Sequence, residues 1–138
     1  MTKLNSYLSL IRFYNPIGFW LLLWPGLWGL FLSDNFNIEN FTIVVLGSFL
    51  TRSLGCAIND FLDRDFDKSV ERTKNRPIAS KELSLSEAGI FIILLASVCI
   101  FLLMQTNPYT IKLVYYVAIP MIILYPLMKR FLAMPQLF

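Results

Sequence analysis

Between Asn59 and Ser80 the chain reads NDFLDRDFDKSVERTKNRPIAS, a run of carboxylates, amides and arginines with helical spacing. On a helix that advances about 100° per residue, with Asn59 at zero, Asp63 falls near about 40°, Asp67 near about 80° and Asp60 near about 100°. Arg52, two turns earlier, falls near about 20°, whereas Asp65 lies on the far side near about 240°. A continuous helix would therefore show Asn59, Asp60, Asp63 and Asp67 on one face, with Asp65 as a solvated bystander. Carboxylates so placed repel one another, and beside lipid each is costly. A hard cation relieves both problems, and Mg²⁺ usually takes one or two carboxylates together with substrate phosphates. The chain has no histidine, so the commonest general base and metal ligand has no part in this chemistry. Cys56 and Cys99 lie in apolar stretches without metal spacing and read as small apolar residues.

The elements that must position this face are apolar. Of the 138 residues, 57% are hydrophobic and 15% charged, and the mean hydropathy is +0.62. Soluble domains run at about 45–50% apolar and about 25% charged, and disordered chains are more polar still. The composition therefore predicts an all-α, polytopic membrane helix bundle. Four stretches approach the roughly 20 apolar residues of a crossing helix: residues at about 16–33, 38–58, 88–105 and 111–128. The polar motif loop, about 60–87, joins the second to the third.

Lys3, Arg12, Arg64, Lys68, Arg72, Lys74, Arg76, Lys81, Lys129 and Arg130 all fall on one side of this arrangement. Only Lys112 falls opposite, and Arg52 sits inside the second span. The positive-inside rule then places both termini and the motif loop in the cytoplasm. The net charge of +3 fits that bias, and no basic stripe with stacking aromatics points to nucleic acid. The partner expected from composition is the lipid bilayer. No Arg- and Ser-rich, acid-poor leader is seen, which favours a bacterial inner membrane over a mitochondrial one.

The pattern Asn59-Asp60-x-x-Asp63-x-x-x-Asp67, followed by Arg72-Thr73-x-Asn75-Arg76-Pro77, resembles the first aspartate-rich motif of the UbiA superfamily of intramembrane prenyltransferases. Asn15-Pro16-Ile17-Gly18 with the following LLLWPGLWGL is similar to its 4-hydroxybenzoate polyprenyltransferase branch. So are Tyr125-Pro126-x-Met128-Lys129-Arg130 and Met134-Pro135-Gln136. The resemblance runs from Arg12 onward and implies a fold of nine transmembrane helices, of which these residues supply four. It also implies Mg²⁺-dependent transfer of a polyprenyl group from polyprenyl diphosphate to the ring of 4-hydroxybenzoate, a step of ubiquinone biosynthesis.

By that resemblance Asn59, Asp60, Asp63 and Asp67 form the metal set, with Asp63 and Asp67 central to catalysis. Arg72, Arg76 and Lys129 would contact the diphosphate, and Tyr125 would stand near the reacting carbon. Arg12 and Arg52 would line the polar pocket for the carboxylate of the aromatic acid. The superfamily carries a second aspartate-rich motif, yet no Asp or Glu follows Glu87. The 138 residues thus match the N-terminal part of such a domain, whose activity would call on a C-terminal half or an oligomer. The alternative expectation is an inactive remnant or one half of a split enzyme.

Overall fold

Apolar runs punctuated by Asn, Pro and Ser caps give helices, and no strand occurs among the described residues. A computed structural model describes residues 2–34, 36–122 and 124. The chain divides into two units, Met1–Leu102 and Leu103–Phe138.

In the first unit α1 is Lys3–Leu10, α2 Ile17–Leu32, α3 Ile38–Leu62, α4 Arg64–Asp67 and α5 Leu85–Met104. Asn37 starts α3 by accepting the Asn40 N–H at 2.7 Å, which satisfies one of the open donors of the first turn. Ser84 and Glu87 form a capping box at α5. Glu87 Oε2 accepts the Ser84 N–H at 2.9 Å, while Ser84 Oγ accepts the Glu87 N–H at 3.2 Å. Lys3 pairs with the same Glu87, so α1 is tied to the start of α5.

The α2 helix packs along α3, and a Cβ at Gly26 would come within 3.0 Å of Val44 Cγ1. Glycine there permits the close approach of the two helices. The buried core lies elsewhere. Leu10, Ala57, Ile78, Leu83 and Ala88 cluster where α1, the end of α3, the motif loop and the start of α5 meet. Tyr7, Phe61, Phe91, Ile92 and Leu95 pack around them.

Two helices, α3 and α5, are long and apolar enough to cross a membrane. The expected first span forms α2, apolar throughout but 16 residues long. At about 1.5 Å per residue it reaches roughly 24 Å, short of the roughly 30 Å hydrocarbon layer. The second span extends past residue 58 to Leu62, and the third begins at Leu85 rather than near 88, because the Ser84–Glu87 box fixes its start.

The second unit holds α6, Pro108–Leu113, and a π-helical turn, Val114–Ala118. Asn107 caps α6 through the Thr110 N–H at 2.8 Å, and Pro108 occupies its first turn, where no donor is lost. Over the expected fourth span, about 111–128, the described residues hold α6, which starts earlier, at Pro108, and the π-helical turn, and the final residues of that stretch lie outside those described.

Candidate functional site

The continuous acidic helix face expected from the sequence is interrupted. Asp63 leaves helical geometry at φ −90°, ψ 5° and separates α3 from α4. The backbone bonds still run Asp63 N–H to Asn59 C=O at 2.9 Å and Asp67 N–H to Asp63 C=O at 2.8 Å, so the break is one residue wide. Asn59 is exposed, Asp63 is half-buried, and Asp60 and Asp67 are buried.

Arginines take up the two buried carboxylates. Arg12 Nη2 donates to both Asp60 oxygens, at 2.7 and 2.8 Å. Arg76 Nη1 lies 3.0 Å from Asp60 Oδ1 and donates to Asp67 Oδ2 at 2.8 Å. Asp60 thus joins a residue before α2 to one in the motif loop, and Arg76 brings Asp60 and Asp67 onto a single positive centre. Arg12 holds a left-handed backbone, φ 58°, which costs a non-glycine residue about 1–3 kcal/mol. Its bidentate bonds to a buried carboxylate are of the strong, charge-assisted type that can hold it there. The Thr73 hydroxyl donates to the Asp67 carbonyl at 3.1 Å, pinning the loop beneath Arg76.

Asp65 stands apart, as the angular arithmetic predicts. It is exposed and pairs with Lys68 at 2.7 Å. The Lys68 ammonium holds its carboxyl below the usual carboxylate range, with a smaller contribution from Arg64. Arg72 is exposed and makes no ion pair among the described residues.

Beside this cluster a cavity of about 290 Å³ opens between the start of α2 and the middle of α3, lined by Arg12, Phe13, Phe19, Trp20, Phe49 and Arg52 among others. Phe49 meets Phe13 and Phe19 edge-on, with centroids 6.5 and 6.0 Å apart. The walls are aromatic and the charged groups are the two arginines. Arg52 pairs with no carboxylate among the described residues, an expensive state for a cation within a membrane helix. Arg12 belongs to both places, since it lines the cavity and bonds Asp60.

The structure therefore brings Arg12, Asp60, Arg76 and Asp67 together, and puts Arg52 with Arg12 in the adjoining cavity. Asn59 and Arg72 lie at the exposed margin. Tyr125 and Lys129 lie outside the described residues. Gly18, Phe19 and Phe49 were not singled out by chemistry, although Gly18 stands in the Asn15–Gly18 signature.

No three carboxylate or thiol groups converge on a metal position among the described residues, so an all-protein cage is not built here. What is present is a pair of hard oxygen donors, Asp60 and Asp67, already drawn to one cationic nitrogen. That donor set fits a Mg²⁺ ion shared with phosphate oxygens, which needs only one or two carboxylates from the protein.

The aspartate–arginine cluster thus lies beside an aromatic cavity among apolar helices. The UbiA prenyltransferase family matches residues 22–138, and the chain belongs to it. It is an integral membrane protein. Similar curated proteins include 4-hydroxybenzoate octaprenyltransferases. That of Polynucleobacter asymbioticus is 44% identical over 97% of this chain and 47% of its own length. That of Polynucleobacter necessarius subsp. necessarius is 48% identical over 95% of this chain and 46% of its own length. That of Shewanella loihica is 42% identical over 99% and 48%. The chain spans about half the length of these relatives. No solved structure gives a significant match.

Proposed function

We propose that the chain carries the first aspartate-rich motif and the acceptor pocket of a 4-hydroxybenzoate polyprenyltransferase, acting in ubiquinone biosynthesis at a bacterial inner membrane with its motif loop in the cytoplasm. One observation carries the reading: Arg12 lines the aromatic cavity and at the same time bonds Asp60, so an anion-seeking aromatic pocket adjoins an acidic, metal-competent cluster.

In this reading Arg72 and Arg76, with Lys129, hold the diphosphate of the polyprenyl donor. Asp60 and Asp67, with Asn59 and Asp63, would hold Mg²⁺, and the ion would supply positive charge as the diphosphate leaves. The allylic C–O bond breaks with its electron pair going to the diphosphate, and guanidinium groups stabilise the charge that develops there. Arg76 is well placed to turn from Asp67 to the leaving group, because its guanidinium is already next to the site. Aromatic faces favour the allylic cation, and a site within the membrane keeps water from capturing it. The phenol-activated ring carbon attacks, a C–C bond forms and the ring proton is lost. Arg12 and Arg52 hold the acid's carboxylate so that the ring faces the donor; Arg suits such planar two-point recognition. Tyr125 is assigned beside the reacting carbon.

The test is prenyl transfer in membranes holding this chain, with the C-terminal half of the Polynucleobacter relative co-expressed. Mg²⁺, a polyprenyl diphosphate and 4-hydroxybenzoate are supplied. Prenylated product that disappears in Asp63→Ala/Asp67→Ala is the expected result. Product that survives that double substitution would overturn the assignment of the motif. No product from the chain alone or with that C-terminal half would favour an inactive remnant.

A further inference from the structure

Arg52 reaches the cavity across the first turn of α2, and what lies beneath its guanidinium is the backbone of Gly18. A Cβ placed on Gly18 would come within 2.6 Å of Arg52 Cζ and Nη2, closer than any real Cβ contact. Gly18 has ordinary backbone geometry, since no glycine in the chain has a positive φ, so no turn or strain requires glycine here. Space does. Alanine is the better helix former and would suit α2 on local grounds.

The clash falls on the end of a flexible side chain, so an alanine would move the guanidinium and leave the helices where they are. The position of that guanidinium is also unusual. The start of a helix carries partial positive charge, so an arginine laid over it is electrostatically uphill until an anion joins the two. Arg12, the other cation lining the cavity, is already bonded to Asp60, whereas Arg52 has no carboxylate partner among the described residues.

We propose that Gly18 is a positioning residue, a seat without a side chain that sets the guanidinium of Arg52 in line to meet the carboxylate of the aromatic acceptor. The proposal rests on the reading of the cavity as the acceptor pocket. It assigns the glycine of the Asn15–Gly18 signature a role through Arg52 rather than through the shape of α2.

The experiment measures equilibrium binding of labelled 4-hydroxybenzoate, and of uncharged 4-hydroxybenzyl alcohol, to membranes containing the whole chain. The variants are Gly18→Ala, Arg52→Gln, the two combined, and Gly29→Ala, a site in the same helix with open space around it. A lost charge-assisted contact corresponds to a drop of about tenfold or more. Gly18→Ala and Arg52→Gln should each weaken binding of the acid by roughly that factor while leaving the alcohol unchanged. The combined variant should be no weaker than Arg52→Gln, and Gly29→Ala should match the parent. Unchanged binding in Gly18→Ala, or additive losses in the combined variant, would overturn the seat.

If Arg52→Gln itself binds the acid normally, the acceptor-pocket reading fails. The seat is then decided by phenylglyoxal labelling of Arg52, quantified by peptide mass spectrometry. A several-fold change of rate in Gly18→Ala supports it and an unchanged rate refutes it. Should Gly18→Ala fail to fold, recovery in the combined variant supports the contact, and continued failure overturns it.

Discussion

The two ends of the long helices are built on different terms. Around the motif loop the chain makes a core of its own: Leu10 and Leu83 are almost wholly enclosed, and no fully enclosed side-chain nitrogen or oxygen among the described residues lacks a hydrogen-bond partner. Along the membrane stretches the apolar faces are bare. Protein covers 22% of the apolar window of α3 and 6% of that of α5, and Trp20, Trp24 and Trp28 all stand exposed along α2. In water that contrast would be ruinous. In a bilayer, lipid tails or further apolar helices cover such faces at little cost, since they are as apolar as the side chains. The charged end cannot use that solvent. It must satisfy its buried carboxylates, Asp60 and Asp67, from within, and the Arg12–Asp60–Arg76–Asp67 chain is the result.

The contrast can be broken most sharply at Asp60. Asp60→Ala removes the shared partner of Arg12 and Arg76, leaving Arg12 without a carboxylate and Arg76 with Asp67 alone. Breaking a buried pair from one side costs about 3–5 kcal/mol. Asp60 is enclosed but the two arginine side chains are 24% and 23% exposed, so the loss should fall at the lower end of that range and show in detergent melts and proteolysis. Asp60→Asn, which keeps the shape and one acceptor, should lose clearly less. Equal losses for the two would mean that shape, and not charge, holds the network. Next in size is a matched pair of truncations. Leu83→Ala empties a site in the loop-end core and should cost about 2–5 kcal/mol. Ile93→Ala, on the open side of α5, should stay within about 0.5 kcal/mol, as outward-facing substitutions usually do. Similar melting shifts for Leu83→Ala and Ile93→Ala would show that the outer face of α5 is packed against protein.

What the sequence made legible follows the same division. The α3 and α5 helices are visible as apolar runs because length and hydropathy are local properties. The exclusion of Asp65 from the acidic face needed only the helical angle. The partners of Asp60 were not readable in this way. Arg12 lies 48 residues away, and its left-handed backbone belongs to a junction between helices that no periodicity marks. The break at Asp63 was missed because neither glycine nor proline signals it. The α1 helix also escaped notice among the apolar spans, although Leu4, Tyr7, Leu8 and Ile11 have the i, i+3, i+4, i+7 spacing of an amphipathic turn. Gly18 carried a motif but no chemistry of its own. Its significance depends on Arg52, which only the packing of α2 on α3 supplies.

The smallest expected effect is at Asp65, and it sharpens the distinction between the two kinds of carboxylate in one motif. Asp60 and Asp67 are enclosed by arginines, whereas Asp65 is exposed and held by Lys68 and Arg64 at the surface. Its carboxyl lies below its ordinary range because the Lys68 ammonium stabilises the ionised form. A group depressed on folding contributes stability above its unfolded pKa and loses it as pH falls through the folded value. Any contribution from Asp65 is therefore complete at neutral pH and fades only below about pH 4. Exposed pairs of this kind are screened and worth little. Asp65→Asn should leave the melting temperature at pH 7 within error and leave prenyl transfer unchanged, even though it removes a charge two residues from Asp63 and Asp67. A marked loss of transfer with folding intact would draw Asp65 into the metal set and undo the division between enclosed and surface carboxylates.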